Sequence, residues 1–350
     1  MHLKLDHDSR RCNGTLRITG SKSETNRLLL LQALFRGFEI ENVSNSDDSK
    51  VMQEALTTSS GRIDIHHAGT AMRFLTAYFS QLEGREVELT GSTRMQERPI
   101  KILVEALRSL GASIQYEKEE GYPPLRIQGK KLKGGAIHLP ADVSSQYISA
   151  LLLLGPVLEQ GVELYLEGKI TSVPYIKMTL ALLNNFGVST AFQGQHIRVE
   201  HQSQPKKTLQ VVESDWSSAS YFFSIAALSE EATIHLESYK PESLQGDSVL
   251  RSIYKELGVN SRFEGHRLIL TKEKIKPPER IQWDLSKAPD IAQTIAVSCY
   301  GLGIGCNLKG LHTLKIKETD RLVALDTELT KLGATLSVTD HSLHLSPGAN

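Results

Sequence analysis

Cations and hydroxyl groups cluster at the start of the apolar helix predicted for GSKSETNRLLLLQAL. Lys22, Ser23 and Arg27 lie within its first two turns, and Ser23 and Arg27 share a helix face. Ser21 and Glu24 have the spacing of a capping box. Free backbone N–H groups at a helix N-terminus favour an anion, so the segment is a candidate phosphate or carboxylate site. An ordinary capped helix with solvated charges explains the same pattern.

Three further segments place polar residues before or at the start of an apolar helix. A glycine there allows a ligand to approach the backbone, and an arginine can form paired hydrogen bonds with a carboxylate or phosphate. A turn, a surface arginine or a simple N-cap are the alternatives. The segments are HHAGTAMRF (66–74) with Gly69 and Arg73, GSTRMQERPI (91–100) with Arg94 and Arg98, and DVSSQYISALLLLGP (142–156) with Ser144, Ser145 and Gln146.

Two segments near the C-terminus add carboxylates. Asp290 follows Pro289 at the start of an apolar stretch, where the helix dipole would stabilise it as a cap or as a base. In IKETDRL, Lys317 and Arg321 are four residues apart with Glu318 between them. Two cations and a carboxylate suit an anionic substrate and proton transfer, whereas a salt-bridged surface helix is the alternative.

A repeated unit must position these residues. Four segments predict an amphipathic helix, a glycine with a left-handed backbone and two strands. The glycines at 111, 187, 258 and 333 are 76, 71 and 75 residues apart. A shorter relative is predicted at 51–67. The next glycine would fall beyond residue 350, so we expect that the last repeat is missing or that the repeats end here. The segments are 103–117, 179–193, 249–263 and 324–338.

Composition narrows the function classes. The chain has 350 residues, which at roughly 150 per domain suggests two domains. Lys and Arg number 40 and Asp and Glu number 40. A net charge of zero argues against nucleic acid or an anionic membrane as the main partner. The longest apolar run, 148–158, is too short to span a bilayer.

The cysteines and the N-terminus indicate a cytoplasmic protein. Three cysteines without a CxxC pair favour reduced thiols, and the charged N-terminus predicts no secretory signal. The sequence has no GxxxxGK[ST] loop, no GxGxxG after a strand and no HExxH. ATP, NAD and metal chemistry are therefore not indicated, and we expect no cofactor and no metal.

Taken together, the motifs resemble the 5-enolpyruvylshikimate-3-phosphate (EPSP) synthases, also called 3-phosphoshikimate 1-carboxyvinyltransferases. The match runs from about residue 14 to the end, and the motifs follow the family's order. They are SKSETNR, AGTAMR, RMQERPI, SSQ, VPYIKMTL, DWSSASYF, APD and KETDR.

The resemblance implies an α/β (α+β) fold, a two-domain inside-out α/β barrel of repeated βαβαββ units, with the last repeat missing. It implies a domain 21–213 of three βαβαββ units and a second, discontinuous domain of 1–20 plus 214–350 with about two of its three units. The implied reaction transfers the enolpyruvyl group of phosphoenolpyruvate to the 5-hydroxyl of shikimate 3-phosphate through a tetrahedral intermediate. The partners are these two substrates alone, and we expect a monomer.

The resemblance also implies site residues. Asp290 would accept the 5-hydroxyl proton, Glu318 would transfer a proton at C3, and Lys22 is the third catalytic residue. The residues implied for shikimate 3-phosphate are Lys22, Ser23, Arg27, Ser144, Ser145, Gln146, Ser172, Tyr175, Asp290, Thr313 and Lys317. Those implied for phosphoenolpyruvate are Lys22, Gly69, Thr70, Arg98, Gln146 and Arg321.

The sequence departs from the family pattern in places. His67 and Thr313 stand where Asn is common, and Phe74 stands where Pro is common. The family's Asp-His-Arg motif and a later Lys, both on phosphoenolpyruvate, would lie beyond the last residue. Two other functions are considered: a chain that binds shikimate 3-phosphate without turnover, and a UDP-N-acetylglucosamine enolpyruvyl transferase. The second uses a loop cysteine, and no cysteine lies in the RMQERPI loop.

Overall fold

The computed structural model describes residues 9–35, 37–140, 144–168, 170, 173–206, 209–317 and 319–348. Contacts between residues divide the chain into two units. One is Thr19–Val212, called the central unit here. The other, called the terminal unit, combines Met1–Ile18 with Glu213–Asn350. The chain therefore passes from one unit to the other twice.

Most of the described strands are short, and they occur in both units. In chain order they are β1 Arg11–Arg17, β2 Glu39–Glu41, β3 Gly61–Asp64, β4 Glu86–Thr90, β5 Ser113–Tyr116, β6 Leu125–Gln128, β7 Gly135–Pro140, β8 Val162–Glu167, β9 Thr190–Gln193, β10 His196–Val199, β11 Leu209–Val211, β12 Glu231–Glu237, β13 Val259–Glu264, β14 Arg267–Lys272, β15 Arg280–Asp284, β16 Gly305–Lys309, β17 Leu336–Val338 and β18 Ser342–Leu345.

Helices alternate with the strands. In chain order they are α1 Lys22–Leu34, α2 Asp47–Thr57, α3 Gly69–Gln81, α4 Thr93–Gln96, α5 Lys101–Ser109, α6 Ser145–Leu154, α7 Val173–Asn185, α8 Trp216–Leu228, α9 Leu250–Lys255, α10 Ala292–Gly301 and α11 Arg321–Lys331. Short 3₁₀ turns occupy Gly155–Val157, Gly246–Val249, Pro289–Ile291 and His312–Ile316.

Four sheets share one topology. Each begins with two parallel strands and adds an antiparallel hairpin beside the second of them. The parallel pair needs a crossover, which contains a helix in three of the sheets and, between β1 and β12, the whole central unit followed by α8. This is the βαβαββ unit, so the α/β fold class and the repeat are confirmed. The strand orders are β3-β4-β6-β5 and β7-β8-β10-β9 in the central unit, and β1-β12-β14-β13 and β15-β16-β18-β17 in the terminal unit.

The segment 51–67 differs from the predicted shorter relative. It forms the end of α2 and then a single strand, β3, which pairs in parallel with β4. Strand β3 is thus the first strand of the next sheet and not half of a hairpin. Among the described residues, β2 pairs only with β11. Alternation of polar and apolar residues predicted the strand but could not identify its partner.

The four repeated glycines have the predicted left-handed backbone. Their φ angles are +99° at Gly111, +84° at Gly187, +79° at Gly258 and +93° at Gly333. After Gly111, the N–H of Ala112 donates to the carbonyl of Leu107 at 3.0 Å, which is the long hydrogen bond of a Schellman cap. The cap reverses the chain so that the next strand can return along the sheet.

Each unit has its own apolar core. In the central unit, α3 is buried from Gly69 to Ser80, as expected of a helix with apolar residues on all sides. In the terminal unit, Trp216 packs edge-on against Tyr239 with ring centroids 5.0 Å apart, and Phe223 lies 5.3 Å from Tyr254. The site residues described below occupy the ends of these buried helices.

Replacing Gly111 by Ala isolates the cost of the left-handed backbone. No heavy atom lies within 4 Å of the added Cβ, so only the φ angle opposes it. We expect the free energy of unfolding to fall by roughly 1–2 kcal/mol, measured by urea denaturation. Gly14→Ala is the control, because its Cβ also meets nothing and its φ is not positive. Equal effects of the two substitutions would contradict this explanation.

Candidate active site

The first turn of α1 presents a lysine. The Lys22 ammonium is partly exposed and lies 3.9 Å from a carboxylate oxygen of Asp48. Ser21 is the N-cap residue, but its side chain makes no capping hydrogen bond. Glu24 is buried within the helix packing. The predicted capping box is therefore wrong, whereas the predicted position of Lys22 in the first turn is confirmed.

Arg27 is a buried cation of the central unit, with 3% of its surface exposed. Its Nε donates to the hydroxyl of Thr179 at 2.7 Å, and Nη1 donates to the backbone carbonyl of Ser23 at 2.6 Å. Nη2 donates to the hydroxyl of Ser149 at 3.0 Å and lies 3.5 Å from the carbonyl of Tyr175. The guanidinium thus connects α1, α6 and α7.

Arg27 remains charged despite its burial. Desolvation lowers the pKa of its guanidinium to about 10, well above neutrality. The rings of Phe74 and Tyr175 lie 5.5 and 5.9 Å from the guanidinium carbon, so their faces add favourable cation–π contact. The central unit therefore holds a permanent positive charge beside Tyr175.

The start of α3 brings a glycine against an arginine. A Cβ on Gly69 would lie 2.6 Å from Nη1 of Arg98, so the guanidinium rests directly on the backbone of this residue. The hydroxyl of the next residue, Thr70, accepts a hydrogen bond from the side-chain amide of Gln146 at 3.2 Å. Residues from three sequence motifs therefore meet at one place.

Gln146, which makes this contact with Thr70, lies in the first turn of α6. Ser144 is the N-cap, and its hydroxyl accepts from the backbone N–H of Gln146 at 3.3 Å. Ser145 is buried beside it. The N-cap explanation of Ser144 is thus correct, and it coexists with the contact between Gln146 and Thr70.

Arg73 supports the loop that carries Arg98. It is buried, and its Nη2 donates to the carbonyl of Pro99 at 2.9 Å. Burial is the main cause that lowers the pKa of Arg73, and the nearby charge of Arg98 lowers it further. The sequence suggested Arg73 as part of an anion-binding cleft, but its terminal nitrogen atoms contact protein acceptors inside the unit.

The terminal unit gathers a carboxylate and two cations. Asp290 lies in the 3₁₀ turn before α10, and one of its oxygens is 2.9 Å from Nη1 of Arg321 and 3.3 Å from Nζ of Lys317. Arg321 is the first residue of α11, after the N-cap Asp320. The contacts confirm that Lys317 and Arg321 lie together, and they add Asp290 to the pair.

The helical spacing assumed for Lys317 and Arg321 is wrong. Lys317 has an extended backbone with φ −77° and ψ −161°, and α11 begins only at Arg321. The two cations meet because both reach the same carboxylate oxygen. Thr313 lies in the preceding 3₁₀ turn, and its buried hydroxyl has no hydrogen-bond partner among the described residues. Glu318 and Ser172 lie outside the described residues.

Asp247 is a carboxylate that the sequence did not single out. It receives a hydrogen bond from the hydroxyl of Ser217 and is 6% exposed. Its pKa is raised to about 7, mainly by burial and also by the neighbouring Asp290, whereas Lys317 acts to lower it. Ser217 belongs to the DWSSASYF motif, but Asp247 lies 30 residues further along the chain.

Within the described ranges, no helix is both long and apolar enough to cross a membrane. Over the same residues, no three His, Cys, Asp or Glu side chains are grouped as metal ligands.

The sequence of the chain also matches a known protein family. Residues 56–350 match the family model described as EPSP synthase (3-phosphoshikimate 1-carboxyvinyltransferase). The chain belongs to the EPSP synthase family. A 3-phosphoshikimate 1-carboxyvinyltransferase of Bacteroides fragilis is 48% identical to this member over 92% of the chain and 78% of the relative.

The chain also matches a less similar relative and a solved structure. A 3-phosphoshikimate 1-carboxyvinyltransferase of Actinobacillus pleuropneumoniae is 35% identical, covering 96% of the chain and 84% of the relative. The solved EPSP synthase of Acinetobacter baumannii superposes with a TM-score of 0.75 over 97% of the chain and 82% of that structure. At 22% sequence identity, this last similarity concerns the fold alone.

Thr179→Val tests the role of the buried Arg27 charge in holding the helices. The substitution keeps the shape of the side chain but removes the acceptor of the Arg27 Nε, and a hydrogen bond to a charged group contributes roughly 1.5–3 kcal/mol. We expect a loss of that size in urea unfolding. Thr76→Val is the matched control, since Thr76 is equally buried but donates only to Met72 in its own helix. Similar losses for both would contradict the role of Arg27.

Proposed function

We propose that this chain transfers the enolpyruvyl group of phosphoenolpyruvate to the 5-hydroxyl of shikimate 3-phosphate and releases phosphate. The chain is a transferase of the shikimate pathway, which leads to chorismate and the aromatic amino acids. The observation that carries the assignment of the site is the contact of Asp290 with Lys317 and Arg321. It supports the proposal, because a carboxylate that would accept a proton lies beside two cations that would bind phosphate or carboxylate.

Residues that would bind shikimate 3-phosphate are proposed in each unit by itself. In the central unit, Lys22, Ser23 and Tyr175 would face the substrate together with the start of α6. The motif also assigns Arg27 to this substrate, but its Nε, Nη1 and Nη2 donate to protein acceptors, so it would add positive charge from the interior. In the terminal unit, Asp290, Thr313 and Lys317 would contact it, and the unpaired hydroxyl of Thr313 supports this. The start of α6 and the segment before α7 contribute Ser144, Ser145, Gln146 and Ser172.

The phosphoenolpyruvate site is proposed around Gly69 and Arg98. An arginine can bind a carboxylate or phosphate through two parallel hydrogen bonds, and the bare backbone of Gly69 leaves room for the guanidinium. Thr70 and Gln146 lie beside it through their mutual hydrogen bond. Lys22 of the same unit would supply further positive charge, and Arg321 of the terminal unit is proposed to bind phosphoenolpyruvate from its motif alone.

The proposed chemistry proceeds in two halves. A proton adds to C3 of phosphoenolpyruvate, and the 5-hydroxyl adds to C2 while Asp290 accepts the hydroxyl proton. The resulting tetrahedral intermediate then loses phosphate and a C3 proton to form the product. Proton transfer at C3 is assigned to Glu318 from its motif alone. The steps use only anion contacts and proton transfer, so no cofactor and no metal is part of the proposal.

The predicted domains 21–213 and 1–20 plus 214–350 are part of this proposal. The division of contacts between residues 18 and 19 and between 212 and 213 supports them. We further propose that the enzyme acts in the cytoplasm as a monomer. The comparisons do not favour a UDP-N-acetylglucosamine enolpyruvyl transferase or a chain that binds without turnover.

Phosphate release on mixing both substrates tests the activity itself. We expect phosphate to appear only when phosphoenolpyruvate and shikimate 3-phosphate are both present, and not when UDP-N-acetylglucosamine replaces the acceptor. Binding of shikimate 3-phosphate without phosphate release would instead identify a chain that binds without turnover.

Asp290→Asn removes the proposed proton acceptor and preserves the size of the side chain. We expect kcat to fall by about 10²- to 10⁴-fold, the usual contribution of a general base, while the Kd of shikimate 3-phosphate changes little. Asp340→Asn is the control, because it makes the same change in an exposed pair with Lys315. A near-normal kcat for Asp290→Asn would overturn its assignment.

Gly69→Ala tests the position of Arg98. The added methyl group displaces the guanidinium, and losing one charged hydrogen bond of roughly 1.5–3 kcal/mol raises KM for phosphoenolpyruvate about ten- to a hundredfold. We expect KM for shikimate 3-phosphate to change less than about twofold. Steady-state kinetics with each substrate varied in turn measures both. Equal changes in the two KM values would contradict the assignment of Arg98 to phosphoenolpyruvate.

A further inference from the structure

The guanidinium of Arg98 is placed by the backbone that carries it. Its nitrogen atoms lie against Gly69, where a Cβ would be 2.6 Å from Nη1. Among the residues that the structure describes, the side chain of Arg98 makes no hydrogen bond and no ion pair. Its donors are therefore available to a ligand, and their position depends on how the loop around Arg98 and Pro99 is held.

The carbonyl group of Pro99 anchors this loop to two helices. It accepts a hydrogen bond from Nη2 of Arg73 on α3 at 2.9 Å and a second one from the hydroxyl of Tyr147 on α6. The proline ring fixes its own φ angle and disfavours a helical backbone at the residue before it, Arg98. Two hydrogen bonds to a carbonyl one residue after Arg98 therefore fix the direction in which the arginine side chain leaves the loop.

Arg73 also holds the backbone on which Arg98 rests. Its Nη1 donates to the carbonyl oxygen of Gly69 at 3.4 Å, and the ring of Tyr147 lies 5.8 Å from its guanidinium carbon, within the range of a cation–π contact. Both Arg73 and Tyr147 are buried. Gly69 and the loop that carries Arg98 are thus connected through one buried pair of side chains.

The first turn of α6 contacts both parts of the proposed phosphoenolpyruvate site. Gln146 donates to the hydroxyl of Thr70, and the next residue, Tyr147, donates to the carbonyl of Pro99. Adjacent residues of one helical turn therefore reach the start of α3 and the loop before α5. The sequence motifs single out Gln146 but not Tyr147.

We propose that Tyr147 is a positioning residue for phosphoenolpyruvate, because its hydroxyl holds the carbonyl of Pro99 and thereby keeps the guanidinium of Arg98 on Gly69. The inference rests on the proposed function, in which Arg98 binds that substrate. An arginine that is ordered before its ligand arrives loses less side-chain entropy on binding. Tyr147 therefore raises the affinity for the ligand of Arg98 through the loop and not through a contact of its own.

Tyr147→Phe removes the hydroxyl and keeps the ring beside Arg73. We expect KM for phosphoenolpyruvate to rise about three- to tenfold, because one neutral hydrogen bond is lost and the guanidinium must then be ordered on binding. KM for shikimate 3-phosphate and kcat should each change less than about twofold. Steady-state kinetics with each substrate varied in turn measures all three. An unchanged KM for phosphoenolpyruvate, or equal changes in the two KM values, would overturn the inference.

Tyr254→Phe is the matched control for this substitution. Tyr254 is also buried, and its hydroxyl forms a hydrogen bond with that of Ser298 in the terminal unit. We expect both KM values of Tyr254→Phe to stay within about twofold of those of the natural protein. Circular dichroism confirms that each variant is folded.

A double-mutant cycle tests whether Tyr147 acts through Arg98. In an Arg98→Ala background there is no guanidinium to position, so adding Tyr147→Phe should change kcat/KM for phosphoenolpyruvate by less than about twofold. A further loss of about three- to tenfold in this background would mean that Tyr147 acts through another group, such as Gln146. That result would overturn the inference.

A measurement without substrate separates this inference from the proposed function. In protein labelled with ¹⁵N in its arginine side chains, the Nε resonance that is missing in Arg98→Ala reports Arg98. We expect its NMR order parameter to be lower in Tyr147→Phe than in the natural protein and unchanged in Tyr254→Phe. Equal order parameters in all three proteins would overturn the inference. A lower order parameter in a protein that releases no phosphate from the two substrates would uphold the positioning of Arg98 and count against the proposed function.

Discussion

The buried charge of Arg27 is the interaction on which the central unit depends. A guanidinium inside an apolar core must have each accessible donor matched, since an unmatched buried charge is strongly destabilising. Its partners come from α1, α6 and α7, and the ring of Phe74 on α3 covers it. The hydrogen-bonding requirement therefore fixes the relative positions of the helices whose first turns form the proposed substrate surface.

The terminal unit has a buried charge of the opposite sign. Here Asp247 is a buried carboxylate and Asp290 a partly exposed one. Asp290 has two cationic partners, whereas the hydrogen bond to Asp247 comes from a neutral serine hydroxyl. Cations therefore compensate Asp290 directly, and burial without such a partner raises the pKa of Asp247 to about 7.

Helix N-termini connect the repeated fold with the chemistry. The βαβαββ unit places each buried helix directly after a strand or loop, so that its first turn lies at the edge of the sheet. Gly69, Ser144 and Arg321 all lie at or next to such a first turn. Backbone N–H groups and side chains of these turns suit anions, and both proposed substrates are anions.

The amino-acid sequence by itself determined the repeat, the glycines that end its helices and the family to which the chain belongs. Gly111, Gly187, Gly258 and Gly333 were predictable because a left-handed cap and helix periodicity are local properties of the chain. Only the tertiary structure decided that Lys317 meets Asp290 from an extended segment, that Arg27 lies inside the unit, and that Asp247 is buried beside Ser217. These contacts join residues far apart in sequence, and the pKa of a buried group depends on exactly those distant neighbours.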